Sequence, residues 1–226
     1  MSTLDDVQVR FLELLVARKA LRFGSFTLKS GRSSPYFINT GCFHHGGDLA
    51  AIGRCYAAVL HDRFGADIDI VFGPAYKGIP LALAAAQAYE EMVGRPVGWT
   101  FDRKEAKTHG DAGGFVGAPL AAGGRVAIVD DVMTAGTALR TSLAKLADCA
   151  ITVVGAVISV DRQERGQGDR PAAEEIAAEY GVPVHAIITI DEAVAHLAEQ
   201  GVAGEPPLNA EAVARIRAHR TEASGS

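Results

Sequence analysis

The sequence predicts an α/β fold, a parallel sheet flanked by helices, with a small N-terminal hood. Strand-like apolar runs alternate with helical stretches: "DIVFGP" before "GIPLALAAAQAYEEM", "RVAIVDDV" before "TALRTSLAKLADC", and "ITVVGAVISV" before "AAEEIAAEYG". Near-continuous apolar strands of this kind are buried on both faces, as parallel strands covered by crossover helices must be. No linker or solenoid-length repeat interrupts the alternation. It reads as one domain over 1–200, followed by a C-terminal helix and tail over 201–226.

The elements follow in order. Val7 to Arg18 spaces Val7, Phe11, Leu14 and Leu15 at helical intervals. "FGSFTLKSGRSSPYFINT" alternates aromatic and β-branched residues around a Ser-Gly-Arg turn, which predicts a short antiparallel hairpin, the hood at about 20–45. Leu49 to Arg63 returns to helical periodicity. The alternating strands and helices come next, and "VHAIITI" is the last strand-like run. Past Gly201, "GEPPLN" predicts a break, then a short polar helix and a loose end.

Composition narrows the function classes. The chain has 226 residues, 48% apolar, with a formal net charge of -5. That is ample for a buried core, and it argues against a dedicated nucleic-acid binder, which carries a basic excess. No apolar run approaches the roughly 20 residues needed to span a bilayer. The acidic, amphipathic start does not read as a secretory signal. Cys42, Cys55 and Cys149 are scattered, without Cys-x-x-Cys spacing, as expected of reduced thiols in a cytoplasmic protein.

The chemistry concentrates in "VAIVDDVMTAGTALR", Val126 to Arg140. Val126 to Val129 read as a buried strand and Thr137 onward as a helix. Between them, Thr134, Ala135, Gly136 and Thr137 are small enough for backbone N–H groups to wrap an anion at the positive end of that helix. Asp130 and Asp131 stand just before. Adjacent carboxylates can accept from vicinal hydroxyls or attract a divalent cation. A phosphate cradle beside a diol acceptor describes a ribose 5-phosphate. The bland alternative is an Asp pair capping a helix. Neither Gly-x-x-x-x-Gly-Lys-Ser/Thr nor Gly-x-Gly-x-x-Gly occurs.

This stretch resembles the phosphoribosyl-diphosphate motif of the type I phosphoribosyltransferases, and the resemblance implies that fold. It also implies substrate contacts along Asp130, Asp131, Val132, Met133, Thr134, Ala135, Gly136, Thr137 and Ala138. Three further stretches address the base and the leaving group. "FTLKSGRSSPYFINTG" resembles the N-terminal signature of orotate phosphoribosyltransferases, with Lys29 reaching the sugar diphosphate or base region and Phe37 and Ile38 against the pyrimidine. Ile38 departs from the second aromatic common in that family. "FGPAYKGIPLA" resembles the pyrophosphate loop, with Tyr76 and Lys77 at contact positions and a cis peptide near Ala75–Tyr76. "RKEAKTHGDAGG" carries Arg103, Lys104, Lys107 and His109 before a glycine pair. It is similar to the orotate enzymes' catalytic loop, although Thr108 stands where Asp is common.

"SVDRQERG" places Arg162 where that family binds the orotate carboxylate, a bidentate match that separates orotate from uracil. A surface ion pair with Asp161 or Glu164 is the alternative. The resemblance implies transfer of a phosphoribosyl group to orotate in pyrimidine (UMP) biosynthesis, giving orotidine 5'-monophosphate and diphosphate. Lys107 would be the main loop catalyst, His109 a proton donor and Asp131 a stabiliser of the cationic ribosyl. Mg2+ would be held mainly through the substrate diphosphate and ribose hydroxyls, with no residue assigned as a metal ligand. The implied assembly is a homodimer sharing the loop across its interface, without nucleic acid or membrane partners. A non-catalytic sugar-phosphate sensor and a purine enzyme share the cradle. The cationic loop argues against the first, and Arg162 with the hood hairpin against the second.

Overall fold

The computed structural model describes residues 4–27, 33–103, 114–202, 204 and 206–225. Helix α1, Asp6–Ala17, opens with a capping box: the Asp5 carboxylate accepts the Gln8 N–H at 2.8 Å, and Gln8 Oε1 accepts the Asp5 N–H at 3.1 Å. Strands β1, Leu21–Thr27, and β2, Ser33–Ile38, pair antiparallel as the two-stranded hood, with Leu21 opposite Ile38. Helix α2, Gly46–Phe64, leads into the main α/β alternation. That alternation runs β3, Ile70–Phe72; α3, Gly78–Val93; β4, Gly98–Asp102; β5, Phe115–Gly117; β6, Arg125–Met133; and α4, Thr137–Ala147. It ends with β7, Thr152–Asp161; α5, Ala172–Tyr180; β8, Val184–Thr189; α6, Ile190–Glu199; and α7, Ala210–Gly225.

The six-stranded sheet has the order β5-β4-β3-β6-β7-β8 and is parallel except for β5. Strand periodicity divides its side chains between two cores. Val71, Ala127 and Val129 join α1, α2, α3 and α6 on one face, while Ile70, Phe72, Val126 and Ile128 join α4 and α5 on the other. The chain leaves β3 toward one edge and returns at β6 to build toward the other. The crevice at the carboxyl ends of β3 and β6 is therefore the topological switch point, where open α/β sheets bind ligands.

The sequence-level expectations differ from this architecture in four places. The strand expected to end at Val129 continues through Asp130 and Asp131 to Met133, because the ladder to β7 persists through Asp130–Ile158 and Met133–Asp161. "GWTFD" and "FVG" form an antiparallel pair at the sheet edge, with the Arg103 N–H donating to Gly114 O at 2.7 Å just beyond it. Helix α6 begins directly at the end of β8 through a Thr189–Glu192 capping box, so no loop signal separates the two. The tail helix α7 packs on the hood, with Ile216 2% exposed and part of the first core. Among the described residues, no helix is long and apolar enough to cross a membrane.

Candidate active site

Four loops meet at the switch point, and each follows the carboxyl end of a parallel strand. After β6, Thr134 and Thr137 are exposed and Gly136 is buried with φ 76°. A Cβ on Gly136 would lie 2.6 Å from Ile176 Cδ1, so both the turn and the close approach of α5 require glycine here. Neither α4 nor α3 has a side-chain cap among the described residues. The first N–H groups of α3 are taken up by the backbone, Gly78 donating to Pro74 O at 2.9 Å and Ile79 to Tyr76 O at 3.3 Å, so it is the N-terminus of α4 that offers backbone donors to an anion. Along the motif, Val132 and Ala135 are half-buried, Met133 is buried and Ala138 is exposed.

The aspartate pair is anchored from four segments of the chain. The Tyr56 hydroxyl on α2 donates to Asp130 O at 2.6 Å, and the Ser159 hydroxyl on β7 donates to Asp131 O at 2.6 Å. Asp130 Oδ1 accepts the Asp131 N–H at 2.8 Å. Burial, reinforced by the negative charge of Asp131, pushes the Asp130 carboxyl up to about 7. Asp131 is 9% exposed, and its Oδ2 accepts from Lys77 Nζ at 2.6 Å and from the Thr40 hydroxyl at 2.8 Å. One carboxylate oxygen thus joins the sheet, the loop after β3 and the base of the hood.

That loop after β3 contains the cis Ala75–Tyr76 peptide that the family resemblance implied. Tyr76 is 67% exposed, Lys77 is exposed, and a Cβ on Gly78 would come 2.6 Å from Pro74 Cδ. Asp102, at the end of β4 and 6% exposed, accepts the Ala75 N–H at 2.8 Å and pairs with Lys145 from α4. Arg103 follows and is half-buried.

After β7, Arg162 is buried at 8% exposure, with its guanidinium carbon 5.0 Å from the Tyr36 ring centroid. Its Nη2 lies 2.7 Å from Glu164 Oε1, yet among the described residues neither Nε nor Nη2 has an aligned hydrogen-bond acceptor. Arg162 therefore makes the ion pair the sequence allowed as an alternative, but does so in a buried setting beside the cradle. Phe37 lies on the other face of β2 from Tyr36. Its ring stands 5.6 Å from that of Phe26, with the Arg22 guanidinium 5.2 Å above it. Ile38 shares the Tyr36 face and packs on the first core. The structure brings Asp130, Asp131, Lys77, the Thr134–Thr137 loop and Arg162 to one crevice, and sets Phe37 against Arg22 and Phe26. Lys29, Lys104, Lys107 and His109 lie outside the described residues.

The sequence reading did not single out Thr40, Tyr56, Asp102, Lys145 or Ser159. Thr40 and Ser159 lie within quoted motifs and Asp102 directly precedes one, and those positions were the available signal. Lys145 and Tyr56 sit within amphipathic helices and give none. Among the described residues, no cluster of three or more His, Cys, Asp or Glu could hold a metal ion.

Comparison with known proteins agrees with this geometry. The phosphoribosyl transferase domain family matches residues 39–179. An orotate phosphoribosyltransferase from Cronobacter sakazakii is 48% identical over 215 residues, covering 95% of this chain and 97% of that protein. The crystal structure of the Francisella tularensis orotate phosphoribosyltransferase superposes with a TM-score of 0.79 at 36% identity, covering 94% of this chain and 98% of that one. The Mycobacterium tuberculosis H37Rv enzyme, solved in complex with 5-phospho-α-D-ribosyl 1-diphosphate, gives a TM-score of 0.63 at 26% identity over 83% of this chain and 98% of that one. The chain belongs to the orotate phosphoribosyltransferases, within the type I phosphoribosyltransferase family.

Proposed function

We propose that the crevice binds phosphoribosyl diphosphate and orotate side by side and transfers the phosphoribosyl group to the orotate ring nitrogen. The observation that carries this assignment is the convergence of a small-residue cradle, the Asp130–Asp131 pair and a buried Arg162 at one switch point. Thr134 to Thr137 hold the 5-phosphate with backbone N–H groups and hydroxyls, and Asp130 and Asp131 accept the ribose hydroxyls. Lys77, Arg103, Lys104, Lys107 and His109 address the diphosphate, with Tyr76 beside it. Lys29, Phe37, Ile38 and Arg162 address the base. The bond to diphosphate breaks early, Asp131 steadies the positive ribosyl carbon, and the ring nitrogen, its proton given up to solvent, attacks from the opposite face. Positioning and electrostatics carry the rate, with Lys107 taking up charge on the leaving group and His109 donating a proton to it.

The donor set suits Mg2+ held mainly by substrate oxygens: Asp130 and Asp131 are two adjacent carboxylates without a third acidic ligand among the described residues. When bound, the ion neutralises diphosphate charge. Within this reading, residues 1–200 form the transferase domain with 201–226 appended. The working unit is a cytoplasmic homodimer whose loop crosses to the partner's site, and it acts in pyrimidine (UMP) synthesis. The test is loss of orotate on mixing with phosphoribosyl diphosphate and Mg2+. Turnover of hypoxanthine or uracil in place of orotate would overturn the assignment.

A further inference from the structure

Arg162 is held in an unusual way for a cation that must meet a ligand. Its guanidinium is nearly buried, its Nη2 lies 2.7 Å from Glu164 Oε1 without hydrogen-bond alignment, its Nε has no acceptor among the described residues, and the face of a ring lies beneath it. That ring, Tyr36, is 1% exposed and belongs to β2 of the hood. Tyr36 also meets His219 of α7 edge to face, with ring centroids 6.1 Å apart and planes at 82°. The helix is fixed there by Ala212 and Ile216, which are 9% and 2% exposed, and it begins with Asn209 Oδ1 accepting the Ala212 N–H at 2.8 Å. Three segments distant in the chain therefore stack in sequence: the loop after β7 carries the cation, the hood carries the ring and the C-terminal helix carries the imidazole.

The π face attracts a guanidinium without occupying its N–H groups, because the ring quadrupole acts on the cation from above while the donors lie in the guanidinium plane. A carboxylate in the same place would consume those donors. We propose that Tyr36, backed by His219 of α7, is a positioning platform that orients the Arg162 fork toward the substrate carboxylate, making the C-terminal helix part of base specificity. The platform rests on the reading of Arg162 as the partner of that carboxylate. The resulting selectivity is for planar heterocycles bearing a carboxylate over the same heterocycle without one.

The test is steady-state kinetics of the full chain with each substrate varied in turn. The variants are Arg162→Ala, Tyr36→Leu, Tyr36→Phe and His219→Ala. With Tyr36→Leu, the KM for orotate is expected to rise roughly tenfold, the scale of a desolvated cation–π contact. The KM for phosphoribosyl diphosphate should stay within about twofold, since a local platform leaves the cradle alone. Tyr36→Phe keeps the ring and should restore an orotate KM near that of the parent. His219→Ala removes an exposed-side support and should raise the orotate KM about threefold without changing the other. Parallel rises in both KM values would mean general loosening of the fold and overturn the platform. So would a large rise with Arg162→Ala accompanied by none with Tyr36→Leu, which would leave the base assignment standing. An unchanged orotate KM in Arg162→Ala would instead remove the base assignment itself, and the platform with it.

Discussion

Lys77 Nζ donates to Asp131 Oδ2 across 2.6 Å, tying the loop after β3 to the carboxylate at the end of β6. The lysine side chain is 61% exposed, so the pair contributes little to stability. Its consequence is positional: the cation assigned to the diphosphate sits beside the acid assigned to the ribose. Lys77→Met should change the unfolding free energy by less than about 0.5 kcal/mol while raising the KM for phosphoribosyl diphosphate about tenfold. Thermal melts and initial rates decide this together. An unchanged KM would detach Lys77 from the diphosphate.

Asp130 gives a pH signature. Its carboxyl is raised from 3.8 to about 7 by burial and by Asp131, so the native state binds this proton more tightly than the unfolded chain. The stabilisation it provides is complete below about pH 4 and is lost as pH rises through about 7. Asp130→Asn mimics the protonated form at every pH. The variant's advantage over the parent should be near zero at pH 4 and grow by at most about 1.4 kcal/mol per pH unit up to pH 7. Denaturant midpoints at pH 5 and pH 8 measure it, and a difference that does not vary with pH would refute it.

The Lys145–Asp102 pair neutralises a buried carboxylate that also accepts the Ala75 N–H. Lys145→Met should destabilise the fold by about 1–2 kcal/mol, discounted for the partial exposure of the lysine. Adding Asp102→Asn should recover most of that loss, because the amide oxygen can still accept from Ala75. Urea titrations of the single and double variants distinguish this from simple loss of lysine packing, in which case the second change would recover nothing.

Gly136 combines a φ of 76° with a Cβ position 2.6 Å from Ile176 Cδ1. Gly123 has a similar φ of 80° and open space around it. Gly123→Ala should therefore report backbone strain alone, about 1 kcal/mol, and Gly136→Ala about 1 kcal/mol more. Only Gly136→Ala should weaken binding of phosphoribosyl diphosphate, as isothermal titration can show. Equal effects of the two substitutions on binding would argue against the cradle.

Lys107→Ala is expected to lower kcat at least a hundredfold while changing the Kd for phosphoribosyl diphosphate only a few-fold, as befits a group acting in the transition state. If the loop serves the partner subunit, an equal mixture of Lys107→Ala and Asp131→Asn chains should recover about a quarter of parent activity. Half the dimers are mixed, and each of those has one intact site. Absence of recovery would place each loop over its own subunit's crevice.

The cradle was legible in the sequence because its parts are consecutive: an apolar strand, two acids and a small-residue turn lie within Val126–Arg140. The braces around it were not. Thr40 reaches Asp131 across 91 positions and Lys145 reaches Asp102 across 43, and single polar residues at such separations leave no periodic trace. The hood hairpin was visible from its alternation. The partner of Arg162 was hidden, since Tyr36 reads there as one aromatic among several. Strand β4 and helix α6 escaped for a different reason. One is a five-residue strand beside a charged run, and the other starts where β8 ends.

The antiparallel β4–β5 pair clasps both ends of the cationic stretch, with Asp102 opposite Phe115 and the Arg103 N–H on Gly114 O. What lies between those ends is therefore inserted into a closed stem, and its length is uncoupled from the register of the sheet. Doubling such an insert costs only about 0.6 kcal/mol in closure entropy. Evolution, or a protein engineer, can exchange this segment as a cassette without having to re-solve the folding of the domain that carries it.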